Sequence, residues 1–181
     1  TQREIDWFLH GMAHFFPREH AAWLNVLAPA ELGVPLESYR RRMFDDDPAT
    51  QLAATRAWAR YEAACATLTR RETKAPEDAH AGYALARLEA HYMAHACFLS
   101  PAQLLENLHR IAHLPATIIQ GRYDVICPPR IAYELTEKWP SATLHIVEAA
   151  GHSAHEIGIE TALVAATQQM LVELANPKLN D

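Results

Sequence analysis

The chain has 181 residues, 50% hydrophobic and 21% charged, with a formal net charge of −6. That composition belongs to a globular protein of one domain or a small pair, long enough to bury a core, and it excludes disordered and collagen-like classes. The longest basic run is Arg40-Arg41-Arg42 and no apolar stretch approaches the ~18 residues of a membrane span, so neither a nucleic-acid nor a membrane partner is expected.

Up to Leu114 the periodicity predicts helices. Pro17 opens one, with Trp23, Leu24 and Leu27 on one side, and Pro35 opens a short one ending near Phe44. Asp47-Pro48 is a helix start, an acid at the N-cap and a proline in the first turn. Leu52, Trp58, Tyr61, Cys65 and Leu68 then recur at helical spacing. Thr69 to His80 reads as a polar loop. A second long helix carries Leu85, Leu88, Tyr92 and Met93, Ser100-Pro101 breaks it, and Gln103 to His113 reads as one more. From Pro115 the pattern changes. Ala116 to Gln120 is a short apolar, β-branched run closed by Gly121, a buried strand; Pro129 to Trp139 is a helix; Thr143 to Val147 is a second strand; Glu160 to Leu174 is a last helix. Strand, helix, strand, helix is parallel βαβ architecture. Two strands do not make a stable open sheet alone, so this third of the chain is expected to be the end of a larger doubly wound sheet. The division expected is a helical region over 1–114 and a βαβα segment over 115–181.

Cys65, Cys97 and Cys127 lie far apart with no CxxC pair, which predicts neither a disulfide framework nor a cysteine zinc site and favours a reducing, cytoplasmic compartment. The first residue is Thr1 and no charged-then-apolar leader follows it, so a fragment or processed product without a secretory signal is the expectation.

Asp124 follows the first predicted strand and His152, in Gly151-His152-Ser153, follows the second. Both fall at carboxyl ends of adjacent parallel strands, where open α/β sheets bind ligands. An acid there can fix the tautomer of an imidazole, which can take a proton from a nucleophile. The plainer reading is a helix-capping Asp and a solvent-facing His. A triad on this architecture takes its serine from a Gly-x-Ser-x-Gly turn. Ser38, Ser100, Ser141 and Ser153 lie in none, and no glycine-rich segment offers an oxyanion hole. Cys127, three residues after Asp124, is a second nucleophile candidate or a pocket-lining thiol.

Ile118 to Pro128, Lys138-Trp139-Pro140 and Ala150 to Ser153 resemble the C-terminal part of proline iminopeptidases, which are α/β-hydrolase-fold serine peptidases that remove an N-terminal proline. Asp6-Trp7-Phe8, Phe15-Phe16-Pro17, Ala57 to Glu62 and Ala86 to Tyr92 resemble that family's helical cap. The resemblance covers nearly the whole chain. It implies a helical cap over 1–114 and the C-terminal end of a hydrolase sheet over 115–181, the family's oxyanion loop and nucleophile having no counterpart in these residues. It implies that Asp124 and His152 are triad acid and base, and that Glu62 and Glu89 recognise the imino nitrogen. Phe8 falls where the family often has a pocket tyrosine, and Cys127 matches a pocket-side cysteine. The partners implied are a small peptide substrate and the upstream half of the hydrolase domain, on the same or another chain. No cofactor is implied.

Helical geometry brings out the two glutamates on its own. Glu62 shares a face with Trp58, Tyr61 and Cys65, and Glu89 lies among Leu85, Tyr92, Met93 and Ala96. A carboxylate in an apolar stripe needs a cation or strong donors. A structural arginine such as Arg56, Arg60 or Arg87 would serve, as would a substrate ammonium. Among the 11 histidines, the pairs His10/His14, His91/His95 and His109/His113 are spaced for one helix face. Each lacks a third ligand and there is no HExxH, so no metal site is expected.

Overall fold

The computed structural model describes residues 1–69 and 79–175, with the backbone alone for 79–81. The loop expected over Thr69 to His80 lies mostly outside the described residues. The chain folds as two compact units, Thr1–Gln103 and Leu104–Asp181. No described helix is long and apolar enough to cross a membrane.

The first unit is helical: α1 (Gln2–Leu9), α2 (Pro17–Leu24), α3 (Pro35–Met43), α4 (Pro48–Cys65) and α5 (Ala79–Ala94). A proline begins each of α2, α3 and α4, where its missing N–H costs nothing and its fixed φ suits a helix. Asp47 caps α4, its carboxylate accepting from the Ala49 and Thr50 amides at 3.2 and 3.0 Å. The core is aromatic. Trp23, Tyr39, Trp58 and Tyr61 are all fully buried. The Trp23 ring stacks on Tyr39 (4.9 Å, 3°) and on Tyr61 (5.3 Å, 25°) and meets Trp58 edge-on. The Tyr39 hydroxyl donates to the Trp23 carbonyl at 2.6 Å, so the ring buries its polar tip without loss. Burial pushes both tyrosine phenols up and the Cys65 thiol up to about 12. The Arg40-Arg41-Arg42 run is neutralised locally. Arg40 pairs with Glu37, while Arg41 and Arg42 share Glu31, whose carboxyl the Arg42 hydrogen bond above all holds at about 2.

Four expectations for this region need correction. Leu85, Leu88 and Tyr92 of α5 are exposed, and its buried face is Ala86 and Ala90. The helix packs against α4, where the Cβ position of Gly82 lies at ordinary contact distance, 3.5 Å, from Ala59 Cβ. Leu68 falls beyond α4 and is exposed. Helix α5 ends at Ala94, before Ser100-Pro101, and Ala96, Cys97 and Phe98 follow in the left-handed region (φ 49, 54 and 58°). The helix expected from Gln103 to His113 is one turn, α6 (Gln103–Glu106), and a 3₁₀ turn over Leu108–Arg110. Only Leu108 there is buried, so no apolar face holds a longer helix together.

The second unit contains β1 (Ala116–Gly121), α7 (Pro129–Thr136), β2 (Ala142–Val147) and α8 (Ile157–Ala175). The strands pair in parallel, in register from Ala116 opposite Ala142 to Gly121 opposite Val147, with α7 as the crossover. Helix α7 ends three residues before Trp139, whose indole N–H turns to the Leu114 carbonyl at 3.0 Å. Burial along β1 is confined to its last two residues, Gln120 and Gly121, so the strand expected to be buried is buried at its carboxyl end.

Candidate active site

Parallel pairing in register brings the ends of β1 and β2 side by side, and the segments that leave them carry Asp124 and His152. A glycine lets them meet. A Cβ on Gly121 would sit 2.0 Å from the Gly151 carbonyl oxygen and 2.8 Å from that of Ala150, so no side chain fits at the strand end. Tyr123 N–H donates to the Ala150 carbonyl and Arg122 N–H to that of Val147, each at 2.9 Å, locking one segment onto the other. Outside them Arg122 and Glu148 form a two-pronged ion pair at 2.7 and 3.0 Å.

Within this frame the imidazole Nδ1–H of His152 donates to Asp124 Oδ2 at 3.1 Å. Asp124 is buried, whereas the His152 side chain is 37% exposed, so the carboxylate anchors and the ring faces out of the protein. Oδ1 of Asp124 accepts from the Cys127 amide at 2.8 Å. Oδ2 also accepts from the side-chain amide of Gln120 at 3.1 Å. The hydrogen bond to Asp124, and then one with the Cys127 side chain, push the His152 pKa up to about 10 against the opposing effect of burial. The Gly151 amide is held by Glu156 Oε1 at 2.8 Å, which fixes the residue before the histidine. A carboxylate on Nδ1 sets the tautomer, stabilises the imidazolium and leaves Nε2 for proton transfer.

The other expected residues fall as follows. Cys127 is exposed and free. Phe8 is buried in the helical unit, stacked on Trp58 (5.0 Å, 29°) and edge-on to Tyr61, whose hydroxyl donates to the Phe8 carbonyl at 3.3 Å. Glu89 is half-buried and accepts from the Trp58 indole N–H at 2.8 Å. Its donor is thus an indole, while Arg87 lies over the Phe44 ring and donates to the Tyr83 hydroxyl. Glu62 is half-buried on α4, one helical turn beyond Trp58. Phe8, Trp58 and Glu89 thereby form one connected group. Of the histidine pairs, His91 and His95 lie with ring centroids 4.5 Å apart, and the His95 and His109 Nδ1 atoms bond the carbonyls of His91 and Glu106. Gln120, Glu156 and the Trp58–Glu89 bond are absent from the sequence reading. The one signal for Gln120 was a polar residue closing an apolar strand run just before a glycine.

A parallel strand–helix–strand unit with a paired acid and imidazole at its carboxyl ends, in a chain that also carries a helical unit, defines a mixed α/β protein of the hydrolase kind. No family model matches the chain. It is 42% identical over 168 residues to the proline iminopeptidase of Xanthomonas citri, covering 91% of this chain and 54% of that protein. It is 40% identical to the Arabidopsis thaliana proline iminopeptidase (93% and 46%) and 34% identical to that of Neisseria gonorrhoeae (91% and 52%). Along this shared length the chain belongs to the proline iminopeptidase family, whose fold is the α/β-hydrolase. It spans about half the length of the curated relatives it matches.

Proposed function

We propose that these residues are the helical cap (1–114) and the C-terminal sheet segment (115–181) of a serine aminopeptidase that releases proline from peptide N-termini. The observation that carries this reading is the Asp124–His152 bond at the carboxyl ends of adjacent parallel strands. In the complete enzyme a serine outside these residues attacks the prolyl carbonyl carbon. In its neutral form His152 takes the hydroxyl proton on Nε2 and then delivers it to the nitrogen of the departing peptide. A prolyl ester is left on the serine, which water hydrolyses with the same histidine as base. Asp124 holds the ring and stabilises its protonated form. Glu62 and Glu89 anchor the secondary ammonium of the substrate, Glu89 oriented by the Trp58 indole. Phe8 backs the proline pocket through Trp58, and Cys127 lines the side next to the imidazole. The upstream half of the hydrolase domain supplies the nucleophile and oxyanion hole, and without it the 181 residues are inactive. Three free cysteines suit a reducing, cytoplasmic setting.

The test uses the full-length gene product with an N-terminal proline arylamide and a simple acyl ester. His152→Ala should abolish turnover of both, and Glu62→Gln or Glu89→Gln should raise KM for the proline substrate selectively. Turnover retained by His152→Ala would sink the reading. An equal loss on both substrates with the glutamate variants would point to a general ester or amide hydrolase.

A further inference from the structure

We infer that Gln120 is the positioning residue of the Asp124–His152 pair: its side-chain amide turns the Asp124 carboxylate so that Oδ2 meets the imidazole, and ties that carboxylate to the loop carrying Cys127. Gln120 is buried at the end of β1. Its Nε2 lies 3.1 Å from Asp124 Oδ2, 3.1 Å from the Cys127 carbonyl oxygen and 3.3 Å from the Gly121 carbonyl oxygen. All three partners can only accept, so the NH₂ end of the amide must face them; its oxygen in that place would meet three others. Two hydrogens shared over three acceptors make a tripod. The same carboxylate is held on its other oxygen by the Cys127 amide. Asp124 is thus gripped at Oδ1 by the loop and at Oδ2 by the strand, and rotation about its Cβ–Cγ bond would break both.

The residue type matters as well as its place. An arginine or lysine here would hold the carboxylate more tightly, but its positive charge would oppose the imidazolium that the carboxylate must stabilise. A neutral amide orients the acid and leaves its charge for His152. A hydroxyl on this strand position would be too short to reach both Asp124 and the Cys127 carbonyl. Gln120 touches no reacting atom, so it acts through Asp124. Its catalytic consequence rests on the function proposed above, but the positioning itself does not.

The decisive experiment reads His152 directly. The imidazole signals are titrated by NMR in the full-length gene product, without substrate, for the wild type, Gln120→Met and Gln120→Asn. Methionine keeps length and removes both donors; asparagine keeps the amide and withdraws it by one methylene. The groups facing the imidazole, Asp124 and Cys127, are unchanged in both. If Gln120 positions the acid, the His152 midpoint falls by about half a pH unit toward the ordinary value near 6.5, because a carboxylate free to rotate bonds the ring only part of the time. If Gln120 merely fills space, the midpoint stays. If it only withdraws charge from Asp124, the midpoint rises. Either of the last two results in one folded variant overturns the inference. Should neither variant fold, hydrogen exchange of the Gln120 side-chain amide in the wild-type chain decides: protection supports the tripod, and exchange as fast as that of an exposed glutamine overturns it. Since no step needs catalysis, failure of the peptidase reading would leave the result standing.

Discussion

Trp23, Tyr39, Trp58 and Tyr61 lie wholly inside the unit Thr1–Gln103, whereas from Leu104 onward the buried apolar residues are Leu108, Ala132, Ala150 and Ile159. The helical unit fills its centre with large rings, each with a neighbour to stack on. The other unit buries no aromatic ring among its described residues and keeps Ile157, Leu163, Val164, Leu171, Val172 and Leu174 of α8 on the surface. Parallel sheets ordinarily have both faces covered, and two strands with two helices cannot do that. Besides those four apolar residues, the second unit buries two polar side chains, Gln120 and Asp124. One region therefore spends its interior on stability and the other on holding a carboxylate still.

That contrast is broken first at Trp58. Trp58→Ala removes the ring that Phe8 stacks on and that Trp23 and Tyr39 meet edge-on. It is expected to cost about 3–5 kcal/mol, read as a lowered urea midpoint by near-ultraviolet circular dichroism. A cost below about 1 kcal/mol would mean that the aromatic core does not carry the unit. The His152 titration measured on the same variant sharpens the comparison, since the acid–imidazole pair is built entirely from the other unit.

The corresponding weak point of the second unit is Gly121. Gly121→Ala forces a methyl group against the Gly151 carbonyl, so the segments leaving β1 and β2 must separate. Overpacking of this kind costs about 1–3 kcal/mol. The larger effect should be on the pair: the 3.1 Å bond opens and the His152 midpoint drops toward that of a free histidine. An unchanged midpoint in Gly121→Ala would show that the close approach is not what aligns them.

Much of this was legible in the residues. Proline and aspartate at helix starts, β-branched runs closed by glycine, and acid and histidine after successive strands are local signals, and each marked an element or a site residue. The helix expected from Gln103 to His113 was misread because helical spacing is only a licence. Without partners for Leu104 and Ile111, both exposed, the backbone stops after one turn. The stripe Leu85, Leu88 and Tyr92 misled for another reason: the buried face of α5 is Ala86 and Ala90, and hydropathy ranks leucine above alanine. Gln120 was invisible because its role is a meeting of three acceptors brought together by a loop, and no spacing encodes that. Nothing local distinguishes Glu156, which holds the Gly151 amide, from a surface acid.

The smallest expected effect is the pH dependence that the pair confers on stability. His152 has its pKa raised from 6.5 to about 10 in the folded chain, chiefly by Asp124. Below pH 6.5 the folded and unfolded chains both hold the proton, and the full contribution of the pair is present. Between 6.5 and about 10 the unfolded chain gives up its proton while the folded chain keeps it, so stability falls as pH rises. Above about 10 the contribution is gone. With the imidazole more than one-third exposed, solvent screening keeps the total below about 1 kcal/mol. Comparing urea midpoints of the wild type and Asp124→Asn from pH 6 to 10.5 cancels the groups that titrate in both. The gap should be widest at pH 6 and close near pH 10. A gap that is constant across the range would assign Asp124 a purely packing role, and one that widens with pH would reverse the sign and place the histidine neutral in the folded chain. The aromatic unit offers no such handle: its buried tyrosine phenols are pushed up chiefly by burial, so Tyr39→Phe should shift the midpoint equally at pH 6 and pH 9.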